Sequence, residues 1–129
     1  MIAAVQTVAG VLLVDVDEEA VLAEGSELPE VERPQVDLPR VVATAGTGAT
    51  VVAVLERRPP LAISHDGGST WREAGGGLPP GFAVAVAEDD PDRMLYAARN
   101  RLYVSANGGV FWRSLAPELP DVLDVAWID

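Results

Sequence analysis

Short runs of apolar residues alternate with glycine, proline and acidic residues along the whole chain. Runs bounded in this way are typical of β-strands. Two of them, at residues 50–55 and 83–87, are apolar at almost every position, which predicts strands covered on both faces. No window of about ten residues combines helix-compatible residues with apolar positions at i, i+3 and i+4, so we predict essentially no helix.

The pattern repeats with a period of about 41 residues. Ser64 pairs with Ser105 at this spacing, and Trp71 pairs with Trp112. A weaker third copy lies upstream, with Asp15 and Asp17 at the positions of Ser64 and Asp66, and an insertion within residues 25–37 restores the register. The chain therefore holds three repeats.

Each repeat predicts four short strands joined by turns rich in glycine, proline and acidic residues. The second repeat predicts strands at residues 41–45, 50–55, 61–64 and 69–73. The third repeat predicts strands at 83–87, 94–98, 102–105 and 110–114. The first repeat begins at its second strand, residues 2–8, whereas the C-terminus adds a further first strand from Val122 to Ile128.

The turn at residues 64–71 resembles the Asp-box of BNR-repeat β-propellers, a family of sialidases, related glycosidases and photosystem-assembly factors. The residues that carry the resemblance are Ser64, Asp66, Gly68, Thr70 and Trp71. The second copy keeps most of the pattern, as Ser105, Asn107, Gly109 and Trp112, with Phe111 in place of the Thr. The resemblance implies four-stranded antiparallel blades in which this turn joins the third and fourth strands.

The mismatched strands at the two ends predict how the blades close. Known propellers have about four blades or more, so three blades do not form a ring. We therefore expect an all-β half-propeller that closes as a six-bladed homodimer, in which residues 122–128 of each chain complete the first blade of the partner. A fragment of a longer propeller is the alternative, and the matching offset of the two ends argues against it. The single domain, residues 1–129, then divides into blades at 1–29 with 122–128, at 40–77 and at 81–118.

The charge and the cysteine content exclude several classes of partner and site. The formal net charge of −11 argues against nucleic acid and anionic membranes, because both require a basic surface. The absence of cysteine excludes disulfides and thiolate metal sites. The apolar N-terminus lacks a basic start and is interrupted at Asp15, so it is poorly built as a signal peptide and predicts a cytoplasmic protein.

Arginines in two equivalent hairpins are the candidate ligand-binding residues. They are Arg57, Arg58, Arg99 and Arg101. A dimer would gather eight of them on one face, which could hold an anion or a carboxylate. The alternative is that these exposed side chains pair with nearby acids. The Pro-rich insertion at residues 25–37 is expected to project from the same face and is the segment we expect to touch a partner.

The turn at residues 64–71 is expected to be structural, because a Ca²⁺ loop needs about six oxygen ligands and this turn offers one carboxylate. His65 is expected to be an exposed turn residue, and the acids at 88–92 a solvated turn. We expect no catalytic residue, metal or cofactor.

The sequence thus predicts a non-enzymatic binding or scaffold module. Its ligand would lie in the central channel or on the arginine face, and its partner would be a protein or a small anionic or carbohydrate ligand. The alternative is a glycan-binding, lectin-like propeller or the remnant of a sialidase-type glycosidase, suggested by the family resemblance alone.

Overall fold

The apolar runs form twelve β-strands in a computed structural model that describes residues 1–128. The strands are β1 (Ile2–Thr7), β2 (Gly10–Asp15), β3 (Ala20–Glu24), β4 (Val41–Thr47), β5 (Thr50–Leu55), β6 (Leu61–Ser64), β7 (Arg72–Ala74), β8 (Ala83–Ala87), β9 (Asp90–Ala97), β10 (Leu102–Ser105), β11 (Arg113–Ser114) and β12 (Val122–Trp127). Within the described range the chain forms no helix, and so none that is long and apolar enough to cross a membrane.

The strands pair into three antiparallel sheets of four strands each. Blade 1 has the order β12-β1-β2-β3, blade 2 has β4-β5-β6-β7, and blade 3 has β8-β9-β10-β11. Each sheet is a meander in which neighbours along the chain are neighbours in space, apart from the pairing of β12 with β1. The predicted fold class, propeller blades of four antiparallel strands, is confirmed.

Strand β12 pairs with β1 of the same chain, with Ala3 opposite Trp127 and Val5 opposite Val125. The C-terminal strand therefore supplies the innermost strand of the blade that the N-terminus begins. From the sequence we expect a C-terminal strand at this place, but one supplied by the partner chain, whereas here it belongs to the same chain. The exchange of this strand between two chains stays a prediction.

Blade 3 lies between the other two blades, and its two faces build the core. One face packs on blade 1 through small and branched residues, among them Val5, Leu95 and Val125. The other face packs on blade 2, where Ile63, Met94 and Tyr96 are fully buried. Because both faces of the central sheet are covered, its strand β8 is apolar at every position, which explains the absence of alternation in residues 83–87.

Two outer strands are shorter than predicted. Strands β7 and β11 begin at Arg72 and Arg113, after the residues that the sequence pattern assigns to them. The reason lies in the preceding turns, where side chains bind the amides of Thr70 and Phe111 and hold these residues out of the sheet. Conversely, β9 begins early, at Asp90, because the chain reverses tightly at residues 88–89.

Antiparallel meanders place alternate turns at opposite ends of the blades. The turns at residues 16–19, 48–49, 65–71, 88–89 and 106–112 share one end, which we call the acidic end because most turn carboxylates lie there. The hairpins at 56–60 and 98–101 lie at the other end, which we call the hairpin end. The innermost strands β4, β8 and β12 line the concave side of the arc of blades.

Candidate functional site

The three innermost strands meet at one side chain, Arg33. Its Nη1 atom donates to the carbonyl oxygens of Thr44, at 3.0 Å, and of Val84, at 2.8 Å. Its Nη2 atom donates to the carbonyl oxygen of Val125, at 3.2 Å, and to Oδ1 of Asp124, at 3.0 Å. Thr44, Val84 and Val125 belong to β4, β8 and β12, so one guanidinium holds the inner edges of all three blades together.

Arg33 lies in the connection between β3 and β4, residues 25–40, which we call the strap. The expectation that this segment projects from the hairpin end is wrong, because it leaves that end and folds along the concave side. Edge strands leave backbone groups unpaired, and the guanidinium satisfies carbonyls of three such strands at once. Thr44 also donates its hydroxyl to the carbonyl of Pro34, which fixes the strap on β4.

The returning part of the strap covers the outer face of blade 2. Val36 and Leu38 pack against Ala53, Leu55 and Ala62, which no other blade covers in the chain. Trp71 packs on the same face, whereas its equivalent Trp112 packs between blades 2 and 3. The strap therefore shields an apolar face that a neighbouring blade covers elsewhere in the fold.

A groove runs between the strap and the inner strands at the acidic end. It consists of two adjoining cavities of about 490 Å³ and about 900 Å³. Both are lined by Val31 and Arg33 of the strap, Val86 of β8, and Trp127 of β12. The smaller cavity has mainly apolar walls, whereas the larger one is lined by polar and apolar residues alike. A concave groove of this size is a candidate ligand-binding site.

The charged groups around the groove are mostly carboxylates. Glu88 lines both cavities, Asp89 lines the smaller one, and Glu30 and Glu32 line the larger one. None of these four has a salt bridge among the described residues, and the single arginine in the lining has both Nη atoms bound to protein acceptors. The groove thus presents unpaired negative charge.

The arginines predicted to bind a ligand lie at the opposite, hairpin end. Arg57 pairs with Glu73 at 2.6 Å, and Arg99 pairs with Asp121 at 3.3 Å. Arg101 donates to the carbonyls of Leu115 and Ala116 and pairs with Glu118. Arg58 is exposed and precedes the cis-proline Pro59. The ion pairs agree with the alternative that hairpin arginines neutralise nearby acids, and the structure brings none of these arginines to the groove.

The 64–71 turn is closed by hydrogen bonds among its own residues. The buried Ser64 hydroxyl accepts from the amide of Gly68 and donates to Oδ1 of Asp66, at 2.7 Å. Asp66 accepts from the amide of Thr70 at 2.9 Å and from its hydroxyl at 2.6 Å. The hydroxyl and amide of Thr70, with the hydroxyl of Ser64, hold the pKa of the Asp66 carboxyl well below its ordinary range. Gly67 and Gly68 both have positive φ, which this tight turn requires.

The 105–112 turn repeats the same geometry without a charge. Gly109 donates its amide to the Ser105 hydroxyl at 2.9 Å, and Phe111 donates its amide to Oδ1 of Asn107 at 3.0 Å. In the first repeat, Asp15 stands at the position of Ser64 and likewise accepts from amides of its own turn, those of Asp17 and Glu18. The Asp66 carboxylate and the Asn107 amide oxygen thus accept the equivalent backbone amide, as expected of a structural turn.

Two further arginines link neighbouring blades, and the sequence analysis missed them. Arg72, directly after Trp71, donates to the carbonyl of Gly108 in the next turn. Arg113, directly after Trp112, pairs with Glu19 at 3.2 Å in the turn of blade 1. The repeat could have revealed these two arginines, because Trp71 and Trp112 are each followed by Arg at equivalent positions.

Other residues singled out by type do not form a site. His65 is exposed, does not line the groove and lies 3.4 Å from the Thr50 hydroxyl through its Nδ1 atom. In residues 1–128 no group of three or more His, Cys, Asp or Glu side chains is arranged to hold a metal ion.

Comparison with known proteins places this geometry among propeller folds. No model of a known protein family matches the sequence, and no curated protein matches it. A solved structure, a GH74 enzyme from Niastella koreensis, is similar with a TM-score of 0.52 and 21% identity. The similarity covers 95% of this chain and 18% of that enzyme, so the chain spans less than a fifth of its length. At this identity the likeness concerns the fold, and it agrees with three blades of a β-propeller.

We predict that Arg33→Ala lowers the free energy of unfolding by about 1–3 kcal/mol, because three inner-strand carbonyls and Asp124 lose a shared charged donor. Urea unfolding measures the change. The matched control is Arg99→Ala, whose side chain is 80% exposed in a simple ion pair and should change stability by less than about 0.5 kcal/mol. Equal losses in the two variants would contradict the special position of Arg33.

We predict that Asp66→Asn makes the protein less sensitive to acid. Because the folded pKa of Asp66 is lowered, its stabilising contribution is complete above the ordinary value of 3.8 and is lost as the pH falls below it. The variant lacks this contribution, so the urea midpoints of wild type and variant should differ at pH 6 and approach each other as the pH falls from about 4 to about 2. Glu56→Gln, an exposed acid whose side chain forms no hydrogen bond or salt bridge among the described residues, serves as control, and a constant difference between Asp66→Asn and wild type would refute the prediction.

Proposed function

We propose that the protein is a non-enzymatic β-propeller module that binds a ligand or a protein partner in the groove beside the strap. The observation that carries this proposal is the convergence of β4, β8 and β12 on a groove with apolar walls and unpaired carboxylates. The arginine hairpins are the second candidate surface of the sequence analysis. They are less suited to bind a ligand, because three of the four arginines are engaged with acids or carbonyls at the hairpin end.

We infer that the repeats are of the BNR type. The support is the shared geometry of the 64–71 and 105–112 turns, in which a Ser hydroxyl and an Asp or Asn oxygen accept from backbone amides. In this interpretation the box residues build the fold, and the ligand site lies elsewhere on the arc. The interpretation concerns architecture and brings no catalytic residue with it.

A glycan-binding function is the alternative, and one observation favours it. Trp127 and Glu88 both line the two cavities, and an indole and a carboxylate in one groove are suited to stack on a sugar and to bind its hydroxyls. The likeness to a GH74 enzyme adds only a shared fold.

We predict that ligands found by screening contact the groove. Peptide, oligosaccharide and small-ion mixtures would be added to isotope-labelled protein, and amide chemical shifts would report the contacts. Shifts should cluster at residues 45–46, 85–89 and 125–128, which line the groove. Shifts confined to residues 57–58 and 99–101 would instead support the arginine face, and the absence of any clustered shift would contradict a binding function.

We also propose that two chains assemble into a six-bladed C2 ring by exchanging β12. Val42, Phe82 and Leu123 occupy equivalent positions near the start of the three inner strands and are 43%, 50% and 56% exposed. Exposed apolar side chains repeated on one side of an arc favour an interface. In the proposed dimer, β12 would pair with β1 of the partner in the register that it has with β1 of its own chain.

Light scattering tests the assembly. The dimer predicts a mass twice that of the 13.6 kDa chain, and removal of residues 122–129 should abolish it. A full-length chain with the mass of one copy would contradict the exchange and leave the pairing of β12 within one chain. A truncated chain that stays dimeric would contradict the part of β12 in assembly.

A further inference from the structure

The groove beside the strap has exposed apolar side chains in its walls as well as acidic ones. Val31 and Ile128 are 46% and 42% exposed there, beside Val86 and Trp127. Exposed apolar side chains on both sides of one groove are an arrangement that a partner can cover. The groove is therefore an apolar strip with a charged border, rather than only a group of acids.

The charge at the border has one sign. Glu30, Glu32, Glu88 and Asp89 have no salt bridge among the described residues, whereas the guanidinium of Arg33 is occupied by backbone carbonyls and Asp124. The net charge of −11 extends this potential beyond the groove. Electrostatic complementarity therefore favours a cationic partner and disfavours an anionic one.

The shape of the groove favours a basic chain over a metal ion or a small cationic molecule. The described residues offer no arrangement of acids that could hold a metal ion, so the charge is spread along the groove instead of focused on one point. The two cavities share Val31, Val86, Glu88 and Trp127, so they form one continuous groove that is not closed off from solvent. Small molecules are usually enclosed over most of their surface, so a groove that is open to solvent suits an extended chain better.

We propose that the groove binds an extended basic peptide segment in which Lys or Arg alternates with apolar residues; this inference rests on the proposed binding function. Side chains of an extended peptide point alternately to opposite sides. Apolar side chains would cover Val86 and Trp127, and the cationic ones would reach Glu32 and Glu88.

The probe is a labelled peptide, acetyl-Lys-Val-Lys-Leu-Lys-Val-Lys-amide, titrated into the full-length protein with fluorescence anisotropy and amide shifts as readouts. Its two relatives carry Glu in place of every Lys, or Gly in place of Val and Leu. We expect binding of the first peptide with shifts at residues 86–89 and 127–128, at least about tenfold weaker binding of the Gly relative, and no binding of the Glu relative.

Variants then locate the contact. Glu32→Gln with Glu88→Gln should weaken binding about fivefold or more, whereas Glu24→Gln with Glu56→Gln removes the same charge away from the groove and should leave binding nearly unchanged. Equal weakening by both pairs would overturn the proposal, since it would show general attraction to an acidic protein. Failure of the Lys peptide to bind would overturn it as well.

The same titrations separate this inference from the proposed function. If the Lys peptide fails while the Glu relative or an oligosaccharide shifts residues 86–89, the groove is a binding site and only the partner class is wrong. If no probe shifts the groove, the proposed function fails together with this inference.

Discussion

The pairing of β12 with β1 is the constraint on which the rest of the structure depends. It joins the two ends of the sequence, gives blade 1 its innermost strand and places Val125 and Trp127 on the concave side of the arc. Without this strand Arg33 would have two inner strands to bind instead of three, and the groove would lose one of its walls. The core of blade 1, the attachment of the strap and one wall of the groove thus all depend on the position of β12.

Arg33 shows how the three blades of one chain are held together at their inner edges. Propeller blades normally leave their inner strands as edges around an axis, and those edges carry unpaired carbonyls. Here a planar guanidinium with several donors reaches three of them, which a Lys ammonium could not do in the same geometry. The guanidinium is bound by backbone carbonyls and Asp124, so the charged groups beside it without a salt bridge are the carboxylates of the groove. The groove is acidic because its one cation is already bound.

The recurring turns explain why the fold tolerates sequence change at its most patterned positions. Ser64 and Ser105 are both buried and accept from a glycine amide, and Asp15 at the same repeat position also accepts from amides of its turn. Asp66 and Asn107 accept the equivalent amide with a charged and an uncharged oxygen. Any side-chain oxygen at the right distance satisfies the amides of the turn. The Arg after each Trp then binds the next blade, so the same short segment closes its own turn and joins its neighbour.

Local periodicity and a repeat of about 41 residues were enough to predict three four-stranded blades and a C-terminal strand at the inner edge of the N-terminal blade. They did not show that this strand comes from the same chain. The course of residues 25–40, the four hydrogen bonds of Arg33 and the groove follow from tertiary contacts. The strap has no repeat partner and no regular period, and its bonds join residues up to 92 positions apart. Such contacts depend on where the blades place their edges, which local patterns do not encode.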